Sequence, residues 1–247
     1  MRLGGFLVAL LLSAGCSASP PAGPAAPAAR GPARVLMLTA TTGFRHDSIA
    51  AARQAITALG STSGEFLVTA TEDLQSLNAA SLESYDVLFF ALTTGELPLT
   101  DQQKAAVVAF VAGGKGFLGA HSAADTLYEW ADYGRIVGAY FNEHPWTGAA
   151  TVIVEAPSHP AASGLGERFT ITEEFYTFRE NPRPAVQVLL RLDPVSVGAT
   201  GDYPLAWAHT FGAGRVYYNA LGHFAETWRD ERFQRQIAGA IRWAANR

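Results

Sequence analysis

The chain has 247 residues, 49% of them hydrophobic and 16% charged, which is long enough to bury a core of its own. A net charge of −4 with no basic stripe excludes nucleic acid as a natural partner. The only cysteine is Cys16, so the folded part has no intramolecular disulfide, no thiolate metal cluster and no cysteine nucleophile.

Residues 1–16 read as an export signal: Arg2, an apolar core from Phe6 to Leu12, then Ser13-Ala14-Gly15 before Cys16. The apolar run is too short for a permanent membrane span. The placement of Cys16 resembles a bacterial lipobox, with Ser13 where Leu is preferred. It predicts cleavage before Cys16 and lipidation there, and so an exported, membrane-anchored lipoprotein of the bacterial cell envelope, periplasmic or on the outer surface. Secretion with cleavage near Ala18 is the alternative. Residues 17–33 are almost all Ala, Pro, Gly and Ser and read as a tether.

Residues 34–247 form the folded domain. Arg34 to Ala40 is a near-continuous apolar run, as expected of a parallel strand buried on both faces. Asp47 or Ser48 can cap a helix from Ile49 to Leu59. Phe66 to Ala70 and Tyr85 to Leu92 read as strands two and three. Thr100 and Gln103 have capping-box spacing for a helix that ends at Gly113-Gly114. Gly116 to Ala120 is a fourth strand, followed by a helix over Arg135 to Tyr140. The second half predicts shorter, more exposed strands at Thr151 to Val154, Phe169 to Ile171, Val186 to Leu192 and Leu205 to His209. A hairpin at Gly212-Ala213-Gly214 returns through Arg215 to Leu221, and a helix from Arg232 to Ala245 ends the chain. Alternating βα units followed by antiparallel strands predict a three-layer α/β sandwich with a β-rich extension in the second half.

Three of the six histidines, His46, His121 and His223, fall just past apolar strands. Ligands of open α/β sheets bind at the carboxyl ends of strands, so these residues are expected to meet in one site. Glu174 and Tyr176 share one face of an extended segment and can move protons there, while Glu173 faces the other way. Ser122 reads as a helix N-cap rather than a nucleophile. His144, in a loop with Pro145 and Trp146, is expected to close over the site, with Trp146 as a surface for a sugar ring. Trp207 is a second such surface or a core residue. Arg45 can anchor an anionic group. His159 marks a turn and stays outside the site. His46, His121, His223 and Glu174 also form a ligand set for zinc or another first-row divalent ion, although no local metal motif supports it.

Several separated motifs carry a family resemblance: Gly43-Phe44-Arg45-His46, Gly116 to Ser122, Phe141 to Pro145, Ser158-His159-Pro160, Glu173 to Tyr176, Pro204 to Trp207 and Gly222-His223. In this order they resemble the ThuA-like, or trehalose-utilisation, family over Arg34 to Asn246. The resemblance implies a flavodoxin-like fold of the class I glutamine amidotransferase superfamily. It also implies a link to sugar metabolism, with oxidised (3-keto) sugars or disaccharides as candidate substrates. Amidotransferases carry a cysteine on a strand-to-helix elbow, Gly-x-Cys-x-Gly; here the stretch is Gly119-Ala120-His121-Ser122-Ala123. His121 takes the nucleophile slot, so glutamine hydrolysis through a thioester is excluded. Two readings follow: an isomerase, lyase or hydrolase using His121, Glu174, His46 and His223, or a non-catalytic sugar-binding lipoprotein.

Overall fold

Four strands are laid down first: Ala33–Leu38 (β1), Phe66–Thr71 (β2), Val87–Ala91 (β3) and Gly116–Ala120 (β4), all paired in parallel. β3 and β4 are buried along their whole length and β1 nearly so, which is why their sequences run apolar instead of alternating. Helices Ile49–Ser63 (α1), Ala79–Leu82 (α2) and Asp101–Ala112 (α3) lie along the crossovers. The capping box of Thr100 and Gln103 opens α3, and Gly114, at φ 106°, follows its end. In this computed structural model the described residues are Met1, Gly4 and 31–247; the rest of the predicted signal segment, Cys16 included, and nearly all of the tether lie outside them.

After Ala131–Val137 (α4) the pairing turns antiparallel through Phe141–Val154 (β5), Arg168–Phe178 (β6), Gln187–Leu192 (β7), Pro204–Phe211 (β8) and Gly214–Asn219 (β9). Ala225–Arg229 (α5) and Glu231–Ala244 (α6) follow. β9 lies parallel beside β4, so the molecule has one nine-stranded sheet, ordered β2-β1-β3-β4-β9-β8-β7-β5-β6. Helices cover both faces, which is the expected three-layer sandwich. The parallel part has flavodoxin-like order with β9 as fifth strand, and its chain direction switches at β1. Fully buried Phe89, Phe90, Phe117, Tyr218, Trp207 and Trp228 anchor the core. Each such side chain contributes roughly 1.5–3 kcal/mol by leaving water.

Three expectations are corrected. The strands of the second half, expected to be short, include β5 (14 residues) and β6 (11 residues), the longest in the sheet. His144, Pro145 and Trp146, expected in a loop, lie within β5. Its register breaks between Phe141 and Glu143 and again between Glu143 and Trp146, around Pro145, which has no N–H to donate. The helix expected over Arg135–Tyr140 is α4, ended earlier by Gly138 at φ 96°. Trp207 Nε1 donates to Val137 O at 2.9 Å, and His209 Nε2 lies 2.9 Å from Ile136 O. Both side chains satisfy carbonyls left open at that helix end. No helix among the described residues is long and apolar enough to cross a membrane.

Candidate functional site

Strand ends bring the three histidines together. The loop after β1 is fastened to the loop after β3: Thr42 N donates to Thr94 O at 2.9 Å, and Thr94 Oγ1 donates to Phe44 O at 2.7 Å. His46 is thereby held over the sheet, only 5% exposed. His121 follows β4 directly and has a left-handed backbone, φ 51°, an unfavourable conformation for a residue with a Cβ. Two contacts fix it there: Tyr218 Oη donates to His121 O at 2.7 Å, and His121 Nδ1 lies 2.8 Å from Ala220 O. His223 follows Gly222, whose φ of 127° favours glycine; a Cβ there would also crowd the Trp228 ring at 3.1 Å.

The fourth side comes from β6. His121 Nε2 lies 3.1 Å from His46 Nε2, 3.3 Å from His223 Nδ1, 3.0 Å from Tyr176 Oη and 3.6 Å from Glu174 Oε2. Glu174 Oε2 is also 3.2 Å from His223 Nδ1, and Oε1 is 3.3 Å from His144 Nδ1. Above this cluster opens a cleft of about 240 Å³ walled by Phe44, Phe141, His144 and Asp125. A larger hollow of about 500 Å³ lies beside α4 and Arg179 and includes none of the cluster.

Burial decides the protonation states. Desolvation, helped by repulsion from His223, lowers His46 to about 4. Full burial, with repulsion from His46, drives His121 well below the ordinary histidine value. His223 moves the other way because it hydrogen-bonds to Glu174, which outweighs its desolvation. Burial pushes the Glu174 carboxyl up, but the bond from His223 and the surrounding imidazoles hold it below the usual range. Burial raises the Tyr176 phenol well above 10 and also raises Asp125. The cluster thus favours neutral imidazoles at His46 and His121, while the Glu174 carboxylate favours a proton on His223.

All four predicted catalytic residues, with Tyr176 and His144, converge here. Others do not. Trp207 is fully buried and packed on Tyr218 at 4.4 Å, so it offers no surface to a sugar. Trp146 packs edge-on to Tyr203 at 4.9 Å and does not wall this cleft. Arg45 points outward into a two-pronged bond with Glu72 at 2.8 and 3.0 Å. Ser122 caps nothing: it sits inside a short 3-10 turn, His121–Ala124, with Oγ 3.5 Å from His46 Nδ1. His159, as expected, lies elsewhere, against Trp243.

Sequence reasoning missed Glu173, Phe44, Phe141 and Asp125. Glu173 is wholly buried and accepts N–H bonds from Gly222 at 2.9 Å, His223 at 3.2 Å and Glu174 at 3.0 Å, plus the Thr227 hydroxyl. Its carboxylate therefore ties the His223 loop to β6. Alternation did signal that it faces away from Glu174, but no local pattern identifies backbone partners fifty residues away. Phe44 is 64% exposed and its ring stands edge-on to His46 at 4.8 Å.

The sequence profile described as "ThuA: Trehalose utilisation" matches residues 34–244. The chain belongs to the ThuA family. A ThuA-like protein from Bacteroides uniformis superposes with a TM-score of 0.71 at 24% identity, over 90% of this chain and 95% of that one. A ThuA-like protein from Parabacteroides merdae gives 0.72 at 18% identity, over 87% and 90%. A GMP synthase-type protein from Thermoplasma acidophilum gives 0.54 at 10% identity, over 88% and 96%. At such identities the likeness is one of fold. Among curated proteins none matches this chain in sequence.

Proposed function

We propose that this chain is an enzyme of carbohydrate chemistry, acting on a sugar or keto-sugar derivative at a carbonyl or hydroxyl held over the histidine–carboxylate cluster. One observation carries the reading: two further imidazoles, a carboxylate and a phenol meet within 3.6 Å of His121 Nε2 at the floor of an open cleft. A pure sugar binder has no need of such a cluster, because aromatic faces and a few hydrogen bonds suffice. The family's description, trehalose utilisation, supports a sugar as the substrate class.

Tyr176 Oη and the Glu174–His144 pair face the cleft and carry protons to and from substrate oxygens. The nitrogen lone pairs of His121 and His46 serve either as bases or as ligands to a cation that polarises the oxygen. Phe44 offers its exposed ring to the apolar face of a sugar. We place the protein in the cell envelope, held by a lipid on Cys16; Cys16→Ala should then move it from the membrane fraction to the soluble one.

The test is turnover of a panel of oxidised sugars and disaccharides by the full chain. His121→Ala and Glu174→Gln should lower kcat by about 10²–10⁴ while ligand affinity stays within a few-fold. Loss of affinity without any turnover to lose would favour the sugar-binding lipoprotein. Neither binding nor turnover by any sugar would contradict the carbohydrate reading.

A further inference from the structure

We infer that His46 Nε2, His121 Nε2, His223 Nδ1 and Glu174 Oε2 are the ligands of one divalent first-row metal ion, with a coordination position left open toward Tyr176 and the cleft. The inference deepens the catalytic reading of the same site, but its test needs no substrate.

Hydrogen bonding leaves lone pairs unmatched at this point. Ala220 O can only accept, so the proton of a neutral His121 sits on Nδ1, 2.8 Å away. Nε2 is then a bare lone pair. Four polar atoms face that lone pair, at 3.0, 3.1, 3.3 and 3.6 Å. An sp² nitrogen accepts one in-line hydrogen bond, and Tyr176 Oη can supply it. The carboxylate oxygen facing it is itself an acceptor, and each neutral imidazole can donate from only one of its nitrogens. His46 Nδ1 has Ser122 Oγ at 3.5 Å as an acceptor for its own proton, which turns the Nε2 lone pair inward as well. Lone pairs outnumber protons in the cluster, which is the condition for binding a cation.

Distances agree. Metal bonds of about 2.0–2.2 Å place neighbouring ligands about 2.9–3.5 Å apart, from tetrahedral and octahedral geometry. The separations are 3.1 Å for His46 and His121, 3.3 Å for His121 and His223, and 3.2 Å for His223 and Glu174. All three histidine nitrogens lie within 4.8 Å of one another. The partly exposed His223 ring has the freedom to close the widest gap. Imidazole and carboxylate suit zinc, manganese, iron, cobalt and nickel.

A second layer of contacts orients the ligands, as metal sites require. Ala220 O fixes the His121 tautomer, Ser122 faces the second nitrogen of His46, and His144 takes the second oxygen of Glu174. Glu173 grips the N–H groups of Gly222 and His223 and that of Glu174, so it sets two of the four ligands together. With those nitrogens on the metal, His46, His121 and His223 cannot take up a proton there and keep only the proton on the other ring nitrogen. Tyr176 and His144 remain free for proton transfer to a substrate oxygen in the open position.

The experiment is elemental mass spectrometry on the full chain, purified without chelator or polyhistidine tag. It is followed by titration of metal-stripped protein with zinc, manganese, cobalt and nickel. We expect about one ion per chain and a rise in Tm on rebinding. His223→Ala changes a partly exposed residue and Glu174→Gln is isosteric, so both should fold; each should weaken binding at least about 100-fold and abolish the Tm rise. His209→Gln, outside the cluster, should keep full stoichiometry. No binding of any ion at micromolar concentration, or binding that survives both cluster variants, overturns the inference. Sugar turnover by a protein that binds no ion overturns it while leaving the carbohydrate reading intact. Stoichiometric metal without sugar turnover upholds the centre and removes the substrate class.

Discussion

The parallel and antiparallel halves of the sheet contribute to the site in different ways. β1, β4 and β9 deliver His46, His121 and His223 from loops at strand ends, where any open α/β sheet gathers its ligands. β6 lies at the far edge of the sheet order, yet Glu174 and Tyr176 reach His121 from within that strand. Register breaks in β5 lie opposite this part of β6 and put His144 beside Glu174. The general fold thus supplies a nitrogen cluster, and the long β5–β6 hairpin supplies the oxygens and the wall that make it specific. Glu173 joins the two contributions by binding the His223 loop from β6.

The sharpest break in this arrangement is removal of Glu174 itself, with the 10²–10⁴-fold loss of kcat expected above. Next comes Glu173→Gln, which turns an amide –NH₂ toward buried N–H donors. It should lower stability by about 1–3 kcal/mol in chemical denaturation and weaken metal binding by about 10–100-fold. An unchanged metal affinity would mean that the halves are not coupled through Glu173.

Acid should act on the nitrogen cluster of the parallel half in metal-free protein. His46 titrates near 4 when folded against an ordinary 6.5, and His121 shifts in the same direction. The unfolded chain therefore binds more protons between those values, and stability falls as pH drops from 6.5 toward 4. His223 is raised by Glu174, so its contribution is complete below 6.5 and fades as pH rises through its folded value. Thermal melts across pH should thus show a maximum near 6.5 for this cluster, and His46→Gln should flatten the acid side.

Smaller effects are expected at the rim. Phe44→Ala should cost about 1 kcal/mol of sugar affinity, about fivefold, with folding changed by less than about 0.5 kcal/mol. Arg45→Ala should change affinity by less than about twofold, because its guanidinium is committed to Glu72 on the surface.

The elements most legible in the sequence were those governed by local rules. Buried parallel strands run apolar, a capping box marks α3, and Gly212 turns the β8–β9 hairpin, so their strand-end histidines could be placed in one site. Alternation also put Glu174 and Tyr176 on one face. What failed was anything set by distant partners. Arg45 meets Glu72 just past the end of β2, and Trp207 meets a helix end seventy residues earlier, so neither spacing revealed its direction. Residues 144–146 looked like a loop because Pro145 masks a strand that tolerates it only through broken register. Phe44 was visible as an aromatic beside His46, but its exposure is a tertiary fact.

Whether both halves of the sheet close on one metal-binding, catalytic point can be seen by anomalous diffraction at the metal's absorption edge. Crystals of the full chain grown with zinc or manganese should give one strong peak, bonded to His46, His121 and His223 from the parallel half and to Glu174 from β6. A peak elsewhere, or one that leaves out Glu174, would contradict the joint site.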